Sequence, residues 1–339
     1  MPAPYAIVIG ASAGGVNALL DLVQALPGPL EAAVGIVLHV GTRRSLLPEL
    51  LNSRMPALNA RHAEDGMPLE AGTVYVAPPD HHLAFTRDTV RLSHGPRENH
   101  ARPAIDPLFR SAALAWGERA IGVVLTGDLD DGSAGLAAIK RCGGLAIVQD
   151  PATAVEPSMP RHALASVDVD HCLDVPGIAR LLHSLAARRA QPTPVRAEPP
   201  RDLVRENEIF EGNLDIGDAM KNLSEIGTPS AMTCPECGGG LWELKESPPL
   251  RYRCHTGHGY TASSLENAQH EYAEQSLWGS VRALREREML LRRLAVVAEA
   301  TGDRPQAVAG RTEADRVRAQ ALQLESMIEQ SQEAESTPE

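Results

Sequence analysis

Aromatic residues are scarce: 3 Phe, 3 Trp and 5 Tyr in 339 residues. That is too few for the stacking platforms on which single-stranded nucleic acid is held. There is no basic excess either. The formal net charge is -12, from 44 acidic against 32 basic residues. The first 190 residues carry 19 acidic and 16 basic groups, and the remainder 25 and 16, so the front is nearly neutral and the back is acidic. Neither part offers the cationic face that phosphate backbones require, and nucleic acid is excluded as a partner. Lysine occurs only at Lys140, Lys221 and Lys245, a bias that reads as genome composition.

Long apolar runs are missing as well. The longest, Ala32 to Leu38, is far too short to cross a bilayer, so no membrane insertion is expected. Met1 to Ala6 lacks the basic opening of a secretory signal. The five cysteines are an odd number, and three cluster late in the chain, which is no disulfide framework. A reduced, cytoplasmic protein is expected. Disorder is excluded by the 43% hydrophobic content, and the length predicts about two domains.

The front alternates strands and helices. Strands are expected at Tyr5–Ile9, Ala33–Leu38, Thr73–Val76, Ala120–Thr126 and Leu145–Gln149, with a hairpin at Leu83–Thr86 and Val90–Ser93. Helices are expected at Gly15–Leu26, Ser45–Asn52, Pro107–Trp116, Ser133–Cys142 and Pro176–Ala187. Near-continuous apolar strands in such alternation predict an α/β fold: a doubly wound, mostly parallel sheet with helices on both faces. Four prolines in Gln191–Pro200 mark a linker, and 201–230 carries no readable pattern. A small Cys-rich ribbon follows. Then Leu277, Val281, Leu284, Leu291, Ala295 and Ala298, and after a Gly/Pro turn at Gly302–Gly310 the set Ala314, Val317, Ala321, Leu324 and Ile328, predict a C-terminal helical hairpin. The expected division is a catalytic domain at 1–190, a linker and unassigned stretch at 191–230, a zinc-ribbon-like module at 231–262, the hairpin at 263–332 and a disordered tail at 333–339.

The first strand runs into Gly10-Ala11-Ser12-Ala13-Gly14-Gly15. A dinucleotide-binding turn wants a glycine where Ser12 stands and an acidic residue closing the next strand, where His39 stands. A nucleophile elbow fits better: a sharp turn exposes the Ser12 hydroxyl, and the Ala13 N–H can help bind an oxyanion. His39 and a loop with three carboxylates, Asp128, Asp130 and Asp131, follow other strands at their carboxyl ends, where sites form in such sheets. Serine is a weak nucleophile until a base takes its proton, and the base needs a carboxylate to fix its tautomer. His81, His82, His94 and His100 read as surface-loop residues, and Cys142 and Cys172 as small buried hydrophobes.

Residues 5 to about 185 resemble the catalytic domain of chemotaxis-receptor protein-glutamate methylesterases of the CheB type. The resemblance rests on Val8 to Gly15, Leu38-His39-Val40, Ala63 to Gly66, Val76 to Asp80, Arg102 to Asp106, Gly122 to Gly127, Asp130 to Gly135 and Ser158-Met159-Pro160. It implies a triad of Ser12, His39 and Asp131, no catalytic cofactor, and hydrolysis of glutamate methyl esters on the cytoplasmic helices of chemoreceptors, with deamidation of glutamines beside it. Asp128-Leu129-Asp130 stands where the family usually has Met-Gly-Asn, and Ala13 where many members carry threonine. Extra carboxylates there predict a weakened enzyme, a regulatory protein of a chemosensory pathway, as the alternative; a dinucleotide-binding oxidoreductase is the second. Many members carry an N-terminal receiver domain. This sequence starts directly on the catalytic strand, which predicts no phosphorylation control in cis.

Cys234 and Cys237, then Cys254 and His258, form Cys-x2-Cys and Cys-x3-His pairs sixteen residues apart, a zinc-ribbon arrangement with four ligands for a structural Zn2+. His255 competes for the fourth place. The appendage is expected to dock a receptor, a methyltransferase or a signalling kinase.

Overall fold

The computed structural model describes residues 3–39, 44–187, 198–211, 215–245 and 248–335. Most of the expected Pro-rich linker and the last four residues lie outside them.

Seven strands form one parallel sheet: β1 (Ala6–Ala11), β2 (Ala33–Leu38), β3 (Asn59–His62), β4 (Thr73–Val76), β7 (Ala120–Val124), β8 (Leu145–Gln149) and β9 (His171–Leu173), in the order β3-β4-β2-β1-β7-β8-β9. A separate antiparallel hairpin joins β5 (His82–Phe85) to β6 (Val90–Ser93). Strand alternation splits the core in two. From β1, Ile7, Ile9 and Ala11 face one apolar cluster with α1 (Gly15–Ala25), α2 (Leu47–Arg54) and α6 (Val175–Ala186). Ala6 and Val8 face the other, with α3 (Ile105–Trp116), α4 (Ser133–Arg141) and α5 (Ser158–Ser166). From β1 the sheet extends through β2 and β4 to the edge strand β3 on one side and through β7 and β8 to β9 on the other, so the carboxyl ends of β1 and β7 flank the switch point where ligands reach such sheets.

β3, β9 and α5 were not expected. The two strands are short edges whose polar or half-exposed residues hide the apolar signal. Cys142, at the carboxyl end of the helix Ser133–Arg141, is half-buried against the core, whereas Cys172, expected as a buried thiol, is exposed because an outward residue of the edge strand β9 has nothing to pack against.

The stretch without readable pattern folds into α7 (Arg201–Glu211) and α8 (Ile216–Ile226). An antiparallel four-stranded ribbon follows: β10 (Gly227–Thr233), β11 (Gly240–Leu244), β12 (Arg251–Cys254) and β13 (Gly259–Thr261). These elements belong to one compact unit with the large sheet, Met1–Leu265. A buried ionic cluster accounts for the union. Arg110 of α3 pairs with Glu98 at 2.7 Å and with Glu206 of α7 at 3.2 Å; Arg253 of β12 reaches both glutamates at 2.9 Å, and Arg251 meets Glu206 at 2.6 Å. Burial would push both carboxyls up; the guanidiniums outweigh it and hold Glu98 at about 2 and Glu206 below the usual carboxylate range.

The second unit, Glu266–Glu339, holds the expected helical hairpin: α9, which begins at Ala262 and runs to Ala300, and α10 (Arg304–Glu335). Val281, Ala295, Ala298, Ala314, Val317, Ala321 and Ile328 are buried along the predicted stripes. The turn is shorter than expected. Pro305 sits in the first turn of α10, where its missing N–H costs nothing, and Asp303 caps the helix by accepting from the Gln306 amide. The helix also continues to Glu335, into the stretch expected to be a disordered tail.

Candidate active site

Ser12 follows β1 on an elbow. Gly14 adopts a left-handed φ of 75°, and a side chain there would strike Val155. The elbow is pinned to the end of β7: the Ser12 amide donates to the Thr126 carbonyl at 3.0 Å, and the Thr126 hydroxyl donates to the Ala13 carbonyl at 3.0 Å. Ala13 lies exposed at the amino end of α1, where the helix dipole favours negative charge.

His39 leaves β2 directly beside this elbow. Its Nδ1 is 3.0 Å from Ser12 Oγ and its Nε2 is 2.8 Å from Asp131 Oδ2. An ionised carboxylate only accepts, so Nε2 carries the proton and Nδ1 presents its lone pair to the serine. The ring is thus reversed relative to the usual serine-protease arrangement, in which Nε2 faces the serine.

Asp131 is buried and fully bonded. Its Oδ2 accepts from His39 and from the Ile105 amide at 2.6 Å; its Oδ1 accepts from Asn99 Nδ2 at 2.8 Å and from the Gly132 and Asp106 amides at 3.0 and 3.2 Å. Two of these donors open α3, which starts two residues earlier than expected, so the carboxylate sits on a helix amino terminus. Burial pushes Asp131 up, but the His39 hydrogen bond and charge, the Ile105 amide and Asn99 outweigh it and keep it ionised. Its neighbour Asp106 takes the opposite course: burial and the Asp131 charge push it up to about 8.

The structure therefore brings Ser12, His39 and Asp131 together. Of the other two loop carboxylates, Asp128 is exposed and accepts from the Leu129 amide at 2.8 Å, while Asp130 is buried and accepts from the Thr261 hydroxyl at 2.7 Å. A cleft of roughly 300 Å³ opens at His39, walled by Asp80, Arg97, His100 and Arg102. A second cavity of similar size, between the β5–β6 hairpin, α3 and α7, touches none of the three.

Residues 7–182 match the family model described as CheB methylesterase. The chain belongs to the CheB methylesterase family. A Leptospira interrogans protein, provisionally named protein-glutamate methylesterase/protein-glutamine glutaminase, is 42% identical over 182 residues, covering 52% of this chain and 92% of its own. Proteins of that same name from Anaeromyxobacter dehalogenans and Yersinia pestis are 41% and 37% identical; each match spans about half of either chain. The crystal structure of the Thermotoga maritima CheB methylesterase catalytic domain matches with a TM-score of 0.52 at 31% identity, covering 54% of this chain and 99% of that one. Family membership overturns the oxidoreductase alternative, and the site needs no catalytic cofactor.

Against the CheB pattern, Leu129 occupies the usual glycine position at a left-handed φ of 61°, a strained conformation for leucine. His82 was expected on the surface but is buried in β5: its Nε2 meets the Pro96 carbonyl at 3.0 Å, its Nδ1 accepts from the Ala104 amide at 3.2 Å, and burial pushes it down to about 4. It thereby fixes the backbone just ahead of α3.

Beyond the family match, the two knuckles of the ribbon face each other. Cys234, Cys237 and Cys254 and His258 place their donor atoms within 4.8 Å of one another. The Cys237 and Cys254 sulfurs are 3.7 Å apart, close to the roughly 3.8 Å that tetrahedral Zn–S bonds require. His258 turns Nδ1 toward Cys254 at 3.5 Å and Nε2 toward Glu236 at 3.2 Å, the outer carboxylate expected behind a ligating imidazole. His255 is not in the cluster; its ring packs over Gly239. The donor set fits a tetrahedral metal.

Proposed function

We propose that the protein hydrolyses methyl esters of glutamate side chains on chemoreceptor cytoplasmic helices, with glutamine deamidation as a companion reaction. The observation that carries this reading is the pair of hydrogen bonds centred on His39, at the mouth of a cleft in a CheB domain. Ser12 Oγ attacks the ester carbonyl as its proton passes to His39 Nδ1. Asp131 holds the imidazolium, and the Ala13 N–H at the head of α1 stabilises the oxyanion. His39 returns the proton to the departing methanol, or to ammonia from a glutamine. Water then attacks the acyl-enzyme with His39 again as base, freeing the glutamate and Ser12. The Asp128 carboxylate accepts from the Leu129 amide and the Asp130 carboxylate from the distant Thr261 hydroxyl, which leaves the weakened-enzyme alternative without a specific observation in its favour.

On the cleft wall Arg102 is held by Asp80 at 2.8 Å and His100 lies 3.4 Å from Glu236, so Arg97 is the cation that best suits a glutamate-rich helix. Among the described residues no helix is long and apolar enough to cross a membrane, and the proposed setting is the cytoplasm. Cys234, Cys237, Cys254 and His258 would hold a structural Zn2+, which when bound cross-links the two knuckles. The proposed modules are the catalytic domain (1–190), the connecting stretch (191–230), the metal ribbon (231–262) and the hairpin (263–332), with the hairpin docking a methyltransferase or signalling kinase. The test measures methanol from a methylated receptor fragment and ammonia from its glutamine-bearing counterpart. Ser12→Ala is expected to abolish both; equal release by variant and wild type overturns the reading.

A further inference from the structure

Asn99 has all its hydrogen-bonding capacity spent on one line between the ribbon and the catalytic aspartate. Its Nδ2 donates one hydrogen to Asp131 Oδ1 and the other to Asp106 Oδ2, both at 2.8 Å. Its Oδ1 accepts from the Thr261 amide and from the Ser264 hydroxyl, both at 3.0 Å. A backbone amide only donates, so Thr261 dictates that the oxygen of Asn99 faces the ribbon and the nitrogen faces Asp131. Asn99 has a left-handed φ of 49°, and its backbone is also tied in: its amide donates to the Gly259 carbonyl at 2.8 Å, while Gly259 donates to the Arg97 carbonyl at 3.2 Å.

Thr261 and Ser264 are themselves interlocked as the reciprocal cap that starts α9. The Ser264 amide donates to Thr261 Oγ1 at 3.0 Å, and the Thr261 amide reaches Ser264 Oγ at 2.9 Å. With its lone pair so used, the Thr261 hydroxyl gives its hydrogen to Asp130, the residue preceding the catalytic aspartate. Asn99, Asp130, Asp131, Thr261 and Ser264 are all buried, so no water competes for these bonds.

We propose that Asn99 is a positioning residue for the Asp131 carboxylate, and that Thr261 and Ser264, which lie beyond the CheB domain, hold it in that role, making the ribbon an integral support of the triad. The proposal rests on the triad assignment and gives Asp130 a place in the same network, as the acceptor of the Thr261 hydroxyl.

The test reads the triad without a natural substrate, by the rate at which a fluorophosphonate phosphonylates Ser12, and by the low-field proton resonance of the His39 Nε2–Asp131 hydrogen bond. Thr261→Val keeps the side-chain shape without the hydroxyl. It is expected to slow phosphonylation roughly tenfold and move the resonance, and Thr261→Ser to restore both. Wild-type rate and resonance in folded Thr261→Val, or a Thr261→Ser variant as slow as Thr261→Val, overturn the proposal. If Thr261→Val does not fold, Ser264→Ala is read by the same two signals with the same outcomes. Ser12→Ala separates the two readings: labelling that survives it refutes the triad itself, whereas labelling confined to Ser12 but indifferent to Thr261 and Ser264 refutes only the support.

Discussion

The Thr261 hydroxyl donates to Asp130 at 2.7 Å across 131 positions of sequence, joining the ribbon to the residue beside Asp131. With the buried Glu98–Arg110–Glu206–Arg251–Arg253 cluster, it fastens a segment outside the CheB domain to the domain that holds Asp131.

That ionic cluster predicts a specific pH response. Glu206→Gln leaves three buried or half-buried guanidiniums short of a charge and should cost about 3–5 kcal/mol at neutral pH. Glu98 and Glu206 are held below their unfolded values of roughly 4.3, so the stability they contribute is complete above that pH and is lost as pH falls toward about 2. Urea unfolding of wild type and variant should therefore show a gap at pH 7 that narrows below about pH 4. A gap constant with pH contradicts the charge assignment.

At Leu129 the left-handed backbone costs about 1–2 kcal/mol, partly offset by the smaller unfolded-state entropy of leucine relative to glycine. Leu129→Gly should be neutral or stabilising by up to about 1 kcal/mol, whereas the β-branched Leu129→Val should destabilise by at least that much. Denaturation midpoints decide, and a glycine variant less stable than the valine one contradicts the strain.

The Cys3His cluster predicts one tightly held zinc per chain. Elemental analysis of purified protein should find it, Cys254→Ser should lose it, and chelation should lower the thermal midpoint. Protein with no bound metal, and a midpoint indifferent to chelator, removes the structural-zinc assignment.

The elbow, His39 and the central strands were legible because each depends on local signals: a glycine turn, an apolar run, a strand end. Asp131 could be separated from Asp128 and Asp130 only by resemblance, since the choice is made by the α3 amides and Asn99, which come from distant sequence. α7 was hidden by its own packing. Its buried face is Leu203, Glu206, Ile209 and Phe210, and a charged residue inside that face reads as a break unless the three arginines that neutralise it are known. The same arginines tie the ribbon to the front. Its contacts with the front include that ionic cluster and the hydrogen bonds to Asn99 and Asp130, which no hydrophobic pattern announces.

The central claim is that Ser12, His39 and Asp131 form one hydrolytic unit, and the direct measurement is the methanol-release rate from a methylated receptor fragment. Ser12→Ala and His39→Ala should each lower it by roughly 10³-fold or more, Asp131→Asn by a comparable factor, and the double variant Ser12→Ala/His39→Ala by no more than the singles. Wild-type release from Ser12→Ala, or losses that multiply in the double variant, would contradict a shared triad.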